Sequence, residues 1–354
     1  MAVKKILVEE FLEMTKSCPV FDVRSPGEYN HAHISAAHSL PLFTDEERKI
    51  VGTLYKQDSR EKAIKKGLEF FGVKMVKMVE EVETLIGNKP KIVLVHCWRG
   101  GMRSAGVAWL LDLYGFTVYT LSGGYKSYRH WVLEQFTKPY PFKIIGGFTG
   151  SGKTIVLQEM EKIGFTTIDL EGLAHHKGSA FGGINMPVQP SQEMFENKLA
   201  IALNDSNKKV QEQNKFIYLE DESQRIGLVN IPTDIWNQMR NNPVYFLQIP
   251  FDERLQHIVS GYGKGDKEKL VNAVMRIKKR LGGLETKNAI NFLLEDNTTE
   301  AFRVLLFYYD KQYQKGLENR DNWEQICTNV VSEKVNPAAI AKQISLLETQ
   351  QIHV

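Results

Sequence analysis

Lys91-Ile92-Val93-Leu94-Val95-His96-Cys97-Trp98-Arg99-Gly100-Gly101-Met102-Arg103-Ser104 runs from an apolar strand pattern into a loop holding a cysteine, two arginines and two glycines. A helical pattern, Ala105–Tyr114, follows at once. Glycines let successive backbone N–H groups point inward, and the N-terminus of the following helix adds positive potential. Such a cradle lowers a thiol pKa, makes Cys97 a candidate nucleophile, and holds an anion beside its sulfur. Free cysteine is also among the most buried residue types, but a plain strand–helix turn does not need this arginine-glycine loop.

Outward from this loop the patterns alternate. Phe21-Asp22-Val23-Arg24-Ser25-Pro26 reads as a strand running into a turn, and Ser39-Leu40-Pro41 as another extended piece. Lys62–Ile86 has helical spacing, with Ile64, Leu68, Phe71, Met75, Met78, Val82 and Leu85 on one stripe. Thr117–Leu121 is a further strand, ending at Ser122-Gly123-Gly124. Strands alternating with helices imply a parallel α/β sheet with ligands at strand C-terminal ends, where the cysteine loop lies.

At 354 residues the chain is too long for one ordinary core, and two domains are expected. Thr137-Lys138-Pro139-Tyr140-Pro141 breaks regular structure and sets the expected boundary, giving domains 1–138 and 139–354. A composition 42% hydrophobic and 25% charged is that of a soluble globular protein. No apolar stretch approaches the ~18 residues of a membrane span, so no membrane partner is expected. Acidic Glu9 and Glu10 come too early for a signal-peptide core. Three scattered cysteines (Cys18, Cys97, Cys327) argue against a disulfide framework and a zinc site, and for the cytoplasm. A net charge of +3 leaves polyanion binding to local patches.

The second half opens on another strand, Phe142–Gly146, followed by Gly147-Phe148-Thr149-Gly150-Ser151-Gly152-Lys153-Thr154. This matches G-x4-G-K-[ST] and opens the helical pattern Thr154–Ile163, the context of a P-loop. Its amides would wrap a diphosphate, Lys153 would reach the terminal oxygens, and the Thr154 hydroxyl could take Mg²⁺. Phe216–Glu222 resembles a Walker B strand ending in Glu220-Asp221-Glu222. Glu220 and Glu222 are candidates for metal or base work, or a solvated strand end. Val244–Ile249 is a third strand, and from about residue 252 the patterns are mostly helical.

Three stretches suggest phosphate or RNA contact. Gly172–Gly183, with His175, His176, Lys177 and Ser179, suits a lid over a phosphate or an RNA contact, and also an ordinary surface loop. Gly263–Gly283 carries Lys264, Lys267, Lys269, Arg276, Lys278, Lys279 and Arg280 against Asp266 and Glu268. It reads as a helix that tracks a phosphate backbone or as a solvated face. Tyr125, Tyr128, Trp131 and Arg129 could stack bases or pack between domains.

Asp22–Tyr29, His33–Ala37 and the Cys97 loop together resemble a rhodanese domain, whose loop cysteine carries sulfur as a persulfide. A common rhodanese loop is C-x4-R, whereas Cys97 to Arg103 is C-x5-R. His96-Cys97-x5-Arg103-Ser104 thus also fits the cysteine phosphatase signature, a pocket sized for a tetrahedral oxyanion. The combination with the P-loop and with Ser122–Lys126, His176–Ser179 and Glu220–Ser223 resembles the tRNA 2-selenouridine synthase family over essentially the whole chain. The resemblance implies conversion of wobble 2-thiouridine in tRNA to 2-selenouridine with selenophosphate, through S-geranylation by geranyl diphosphate. It implies both compounds as co-substrates, with Mg²⁺ an option and no tightly bound cofactor. Selenophosphate would lie on Trp98, Arg99, Gly100, Gly101, Met102 and Arg103, and the diphosphate on Gly147, Gly150, Ser151, Gly152, Lys153 and Thr154. Rhodanese analogy makes Cys97 a carrier of selenium as a perselenide-like adduct, the alternative being assistance at uridine C2. The competing reading is a rhodanese-fold cysteine phosphatase coupled to a nucleotide-binding P-loop module.

Overall fold

β4 (Ile92–His96) lies in the middle of a five-stranded sheet ordered β1 (Lys4–Ile6), β5 (Thr117–Leu121), β4, β2 (Val20–Asp22), β3 (Ala37–Ser39), with every pairing parallel. A parallel sheet is covered on both faces, which explains the unbroken apolar run: Val93, Leu94 and Val95 are all fully buried. The computed structural model describes residues 3–213, 215–262, 266–320 and 323–351. The chain divides into two compact units, Met1–Glu134 and Gln135–Val354, and the division falls inside the helix Gly124–Phe136.

In the first unit, helices Met75–Ile86 and Met102–Leu113 bury Met78, Val82, Val107 and Leu111 with Phe21 and Val95 of the sheet. Each such side chain contributes roughly 1.5–3 kcal/mol through area removed from water. The single helix expected over Lys62–Ile86 is two, Arg60–Gly72 and Met75–Ile86. One straight helix would have faced the whole stripe inward. Instead the first helix buries Ala63, Gly67 and Phe71, while Leu68 and Leu85 stay 57% and 42% exposed. The break at Val73-Lys74, where Lys74 N–H bonds Phe71 O at 2.9 Å, re-aims the chain.

The second unit has its own parallel sheet, ordered β12 (Cys327–Val331), β11 (Val244–Gln248), β6 (Phe142–Gly147), β8 (Ile217–Glu220), β7 (Thr166–Ile168). A short antiparallel pair, β9 (Arg225–Ile226) and β10 (Val229–Asn230), stands apart. Helices Lys153–Lys162 and Pro337–Gln351 cover the sheet through Val156, Met160, Ile340 and Ile344. A buried Lys143–Glu348 pair (2.7 Å), joined by the Tyr245 hydroxyl (2.6 Å), ties the last helix to β6 and β11. Helices Phe251–Tyr262, Lys267–Leu281, Gly283–Leu294 and Thr298–Glu318 surround a separate core of Leu255, Ala273, Leu293, Phe302 and Leu305. Each unit is thus α/β around a parallel sheet, and the second adds a helical C-terminal part. Among the described residues no helix is long and apolar enough to cross a membrane.

Candidate active site

The cysteine loop leaves the C-terminal end of β4 and the P-loop leaves that of β6, each strand central in its sheet. In open α/β sheets this is where ligands bind.

Cys97 is 2% exposed, with Sγ 3.2 Å from the Ser104 hydroxyl, which also reaches Gly101 O at 3.1 Å. Burial pushes the thiol pKa up. The Ser104 hydroxyl and N–H, the Arg103 charge and the Arg99 N–H outweigh it and hold Cys97 below its ordinary value. The loop is shaped by the turn after β5, where Tyr125 N–H and Lys126 N–H donate to Cys97 O (2.8 Å) and Trp98 O (2.9 Å). Gly124 makes that approach possible: its φ is +62°, and a Cβ there would sit 2.3 Å from Cys97 O.

The loop's two arginines differ. Arg99 is exposed, whereas Arg103 Nη1 donates to Glu28 Oε2 at 2.9 Å. Burial would raise the Glu28 pKa, but Arg103, Ser25 N–H and Arg48 hold it below the usual carboxylate range. Met102 is 54% exposed, and the Trp98 ring lies tilted on Tyr125 at 5.6 Å. Beneath the loop, Arg24 pairs with buried Asp22 (2.6 Å) and stacks on Tyr125 at 3.8 Å. Burial, tempered by Asp22, brings His96 down to about 4, so it stays neutral, and neither ring nitrogen has a hydrogen-bond partner among the described residues. Tyr125, Tyr128 and Trp131 are 0%, 0% and 5% exposed. They are core residues, so of the two readings left open for them the structure favours packing over base stacking.

The P-loop wraps the start of the helix Lys153–Lys162. Gly150 has φ +85°, and a Cβ there would meet Ile258 Cδ1 at 2.7 Å and Arg254 O at 2.9 Å. Arg254, 4% exposed, donates to Thr149 O (3.0 Å) and forks onto Asp310 (2.9 and 2.8 Å), fixing the loop to the helical part. Lys153 Nζ folds back onto Gly147 O at 3.2 Å. The Thr154 hydroxyl donates to Glu171 Oε2 at 2.6 Å, and Glu171 N–H donates to Glu220 Oε1 at 2.8 Å. Burial raises Glu171, Glu220 and Glu222. Asp169 adds to it at Glu171 and Glu220, and the Glu171 charge adds to it at Glu220 and Glu222, carrying Glu222 to about 8, while a hydrogen bond with Glu222 pulls Glu171 back down. Glu220 Oε2 is buried without a partner among the described residues.

Thr154 and Glu171, beside these crowded carboxylates, suit a divalent cation that completes its shell from a ligand's phosphates and water. Among the described residues no three acidic, histidine or cysteine side chains form a metal cage. Glu171 was not singled out from the sequence, although it follows the short strand β7 in the first turn of the helix Leu170–Ala174.

A cleft of about 1210 Å³ opens over the P-loop. One arm runs toward the helical part, where Tyr262 stacks on Phe302 (5.7 Å), Phe181 meets Phe302 (5.4 Å), and Leu305 and Leu306 complete an apolar wall. The glycine-rich stretch is anchored there: Phe181 is 2% exposed, and Arg276 donates to Ala180 O at 3.0 Å. Lys177 and Ser179 line the cleft, while burial and Arg276 lower the His176 pKa. Of the basic run, Arg280 faces the cleft, Lys278 and Lys279 are exposed, Lys267 pairs with Asp296 (2.6 Å), and Lys264 lies outside the described residues. The other arm, lined by Trp236, Arg240 and Arg320, carried no sequence motif.

Comparison with known proteins covers both units. Residues 7–130 match the rhodanese-like domain, and residues 140–343 match the tRNA 2-selenouridine synthase AAA domain. The tRNA 2-selenouridine synthase of Shewanella frigidimarina is 34% identical over 338 residues, 86% of this chain and 90% of that protein. Those of Hydrogenovibrio crunogenus (33%; 86% and 91% covered) and Shewanella halifaxensis (32%; 90% and 94% covered) are similar to a like degree.

Proposed function

The chain belongs to the tRNA 2-selenouridine synthase family, and from that premise we propose that it replaces the sulfur of a tRNA wobble 2-thiouridine by selenium in two stages, one at each loop. The observation that carries the first stage is the cleft in which the P-loop continues into an apolar aromatic wall. A nucleotide needs the phosphate floor but not an apolar side where Tyr262 fronts the buried core of Phe181, Phe302 and Leu305. An organic diphosphate with a hydrocarbon chain, such as geranyl diphosphate, uses both.

In that stage the thiocarbonyl sulfur attacks C1 of the geranyl chain, diphosphate leaves, and the uridine N3 proton is released to solvent. Lys153 swings from Gly147 O to the departing oxygens, joined by the loop amides. A divalent cation held by Thr154 and Glu171 would supply further charge neutralisation there. The sulfur, now an S-alkyl group, can leave as a thiol.

The second stage belongs to the Cys97 loop, with selenophosphate held by Arg99, Arg103 and the amides Trp98–Met102. Selenium in selenophosphate is already at the selenide level, so a perselenide on Cys97 would need an oxidant. The balanced route is displacement. The Cys97 thiolate adds to C2 of the alkylated uridine and geranylthiol departs with a proton. Selenium then attacks C2 and releases the thiolate, and water cleaves the Se–P bond to give phosphate.

Nucleoside analysis of tRNA after reaction tests this. Cys97→Ser is expected to accumulate S-geranyl-thiouridine without selenouridine, and Lys153→Ala to form neither. Unchanged geranyl transfer in Lys153→Ala, or loss of it in a folded Cys97→Ser, would overturn the division of labour. Hydrolysis of phosphate esters without RNA would point to the phosphatase.

A further inference from the structure

The arm of the cleft away from the aromatic wall holds buried donors of Arg320 that nothing among the described residues satisfies. The helix Thr233–Asn241 presents Trp236, Asn237, Arg240 and Asn241 to it, opposite Gly316 and Arg320 at the end of Thr298–Glu318. The Arg320 side chain is 2% exposed and gives Nη2 to Asp221, yet its Nε and Nη1 have no partner among the described residues. The Trp236 indole N–H is likewise buried and unpartnered. Arg240 donates to Gly316 O at 3.0 Å and lies 5.3 Å from the Trp236 ring. Burial and the nearby charge of Arg320 pull the Arg240 pKa below its ordinary value.

A buried Arg320 guanidinium with two unsatisfied N–H groups, beside a half-buried Arg240 and with one carboxylate between them, is costly unless something completes its hydrogen bonds. The missing partner accepts from several N–H groups and is anionic. Arg240, Arg320 and Asp221 leave one net positive charge, the complement of a single phosphodiester. A diphosphate is better served at the P-loop. Asp221 also accepts the Tyr313 hydroxyl at 2.5 Å, and Tyr313 accepts the N–H of Gly147 at 3.2 Å. One hydrogen-bonded chain thus joins Arg320 to the first residue of the P-loop.

We propose that Trp236, Arg240 and Arg320 form a phosphate subsite separate from the P-loop, and that its occupant is an RNA phosphodiester next to the uridine being modified. The identity of the occupant rests on the proposed function; the existence of the subsite does not. Free inorganic phosphate has the same chemistry, and the test separates the two sources.

Inorganic phosphate is titrated by calorimetry into the full-length Lys153→Ala protein, whose P-loop is disabled, and into Lys153→Ala with Arg240→Gln. A thiouridine-containing anticodon stem-loop is titrated, over a range of salt, into wild type, Arg240→Gln and Asn237→Asp. Asn237 is exposed at the arm, so its variant tests the subsite with the buried cluster intact. Both variants are expected to weaken RNA binding about fivefold to tenfold, and Arg240→Gln to lower the salt slope by roughly 0.7–1, the loss of one phosphate contact. Phosphate binding that survives Lys153→Ala and disappears with Arg240→Gln, without an RNA effect, supports the subsite and assigns it to free phosphate. A wild type that binds no RNA defeats the proposed function, while the phosphate titration still decides the subsite. RNA binding indifferent to Arg240→Gln and Asn237→Asp, together with phosphate binding absent from Lys153→Ala or unchanged by Arg240→Gln, would overturn it.

Discussion

Ser104 shows how much one hydroxyl decides at the cysteine loop. Burial alone would make Cys97 an unreactive thiol, and Ser104 is the leading group acting against it. Ser104→Ala is expected to slow alkylation of Cys97 by iodoacetamide at pH 7 about tenfold, since a hydrogen bond to a charged group contributes ~1.5–3 kcal/mol. The pH–rate profile should move to higher pH; an unmoved profile would assign the depression to the loop amides. Glu222 makes the opposite case. Its folded pKa of about 8 exceeds its unfolded value, so between those values the folded state binds more protons. The stability it contributes is full at low pH and lost as pH rises through about 8. Glu222→Gln should therefore raise the unfolding midpoint of the ligand-free protein at pH 8.5 and leave it nearly unchanged at about pH 4, below the unfolded carboxyl value. Both site cysteine and P-loop lysine were legible from local motifs. Glu171, Arg240 and Arg320 were not, because their roles come from strand order bringing distant residues to one sheet end.

Elements follow the same division. β4, β5, β6 and β11 stand out as apolar runs because interior strands of a parallel sheet are buried on both faces. The strands the sequence did not disclose, β1, β7, β12 and the pair β9 and β10, are all sheet edges, with short or polar stretches such as Cys327-Thr328-Asn329. Helical spacing over 62–86 was real, but periodicity cannot reveal a two-residue break that preserves it across the joint. The turn after β5 was noticed only as Ser-Gly-Gly, and its purpose needed the register between two loops. Gly124→Ala is expected to destabilise the protein by about 1–3 kcal/mol, because it both strains a positive φ and pushes Cys97 O away. Chemical denaturation would show the loss. Cys97 alkylation in the folded variant should change with it; an unchanged rate would mean that the turn does not shape the cysteine loop.

At the scale of the whole molecule, two parallel sheets each place one loop at the C-terminal end of a central strand. That plan was readable from alternating patterns and two motifs, whereas the large cleft was not, since apolar walls leave no signature. If the P-loop binds diphosphate, a hundredfold excess over its dissociation constant should stabilise the full chain by about 2.7 kcal/mol. Lys153→Ala should abolish that shift in the thermal midpoint, and its persistence would place the anion elsewhere. The Glu28–Arg103 pair has one more consequence. An anion arriving at the cysteine loop meets a cation that already has a carboxylate companion, so binding is an exchange of partners. Weakly bonding ions such as chloride would gain little by that exchange at Arg103, whereas Arg99 lies exposed. A ligand with several strongly accepting oxygens can displace Glu28, whose charge stays beside Arg48. At Arg103 an arriving anion must outcompete a carboxylate already in place.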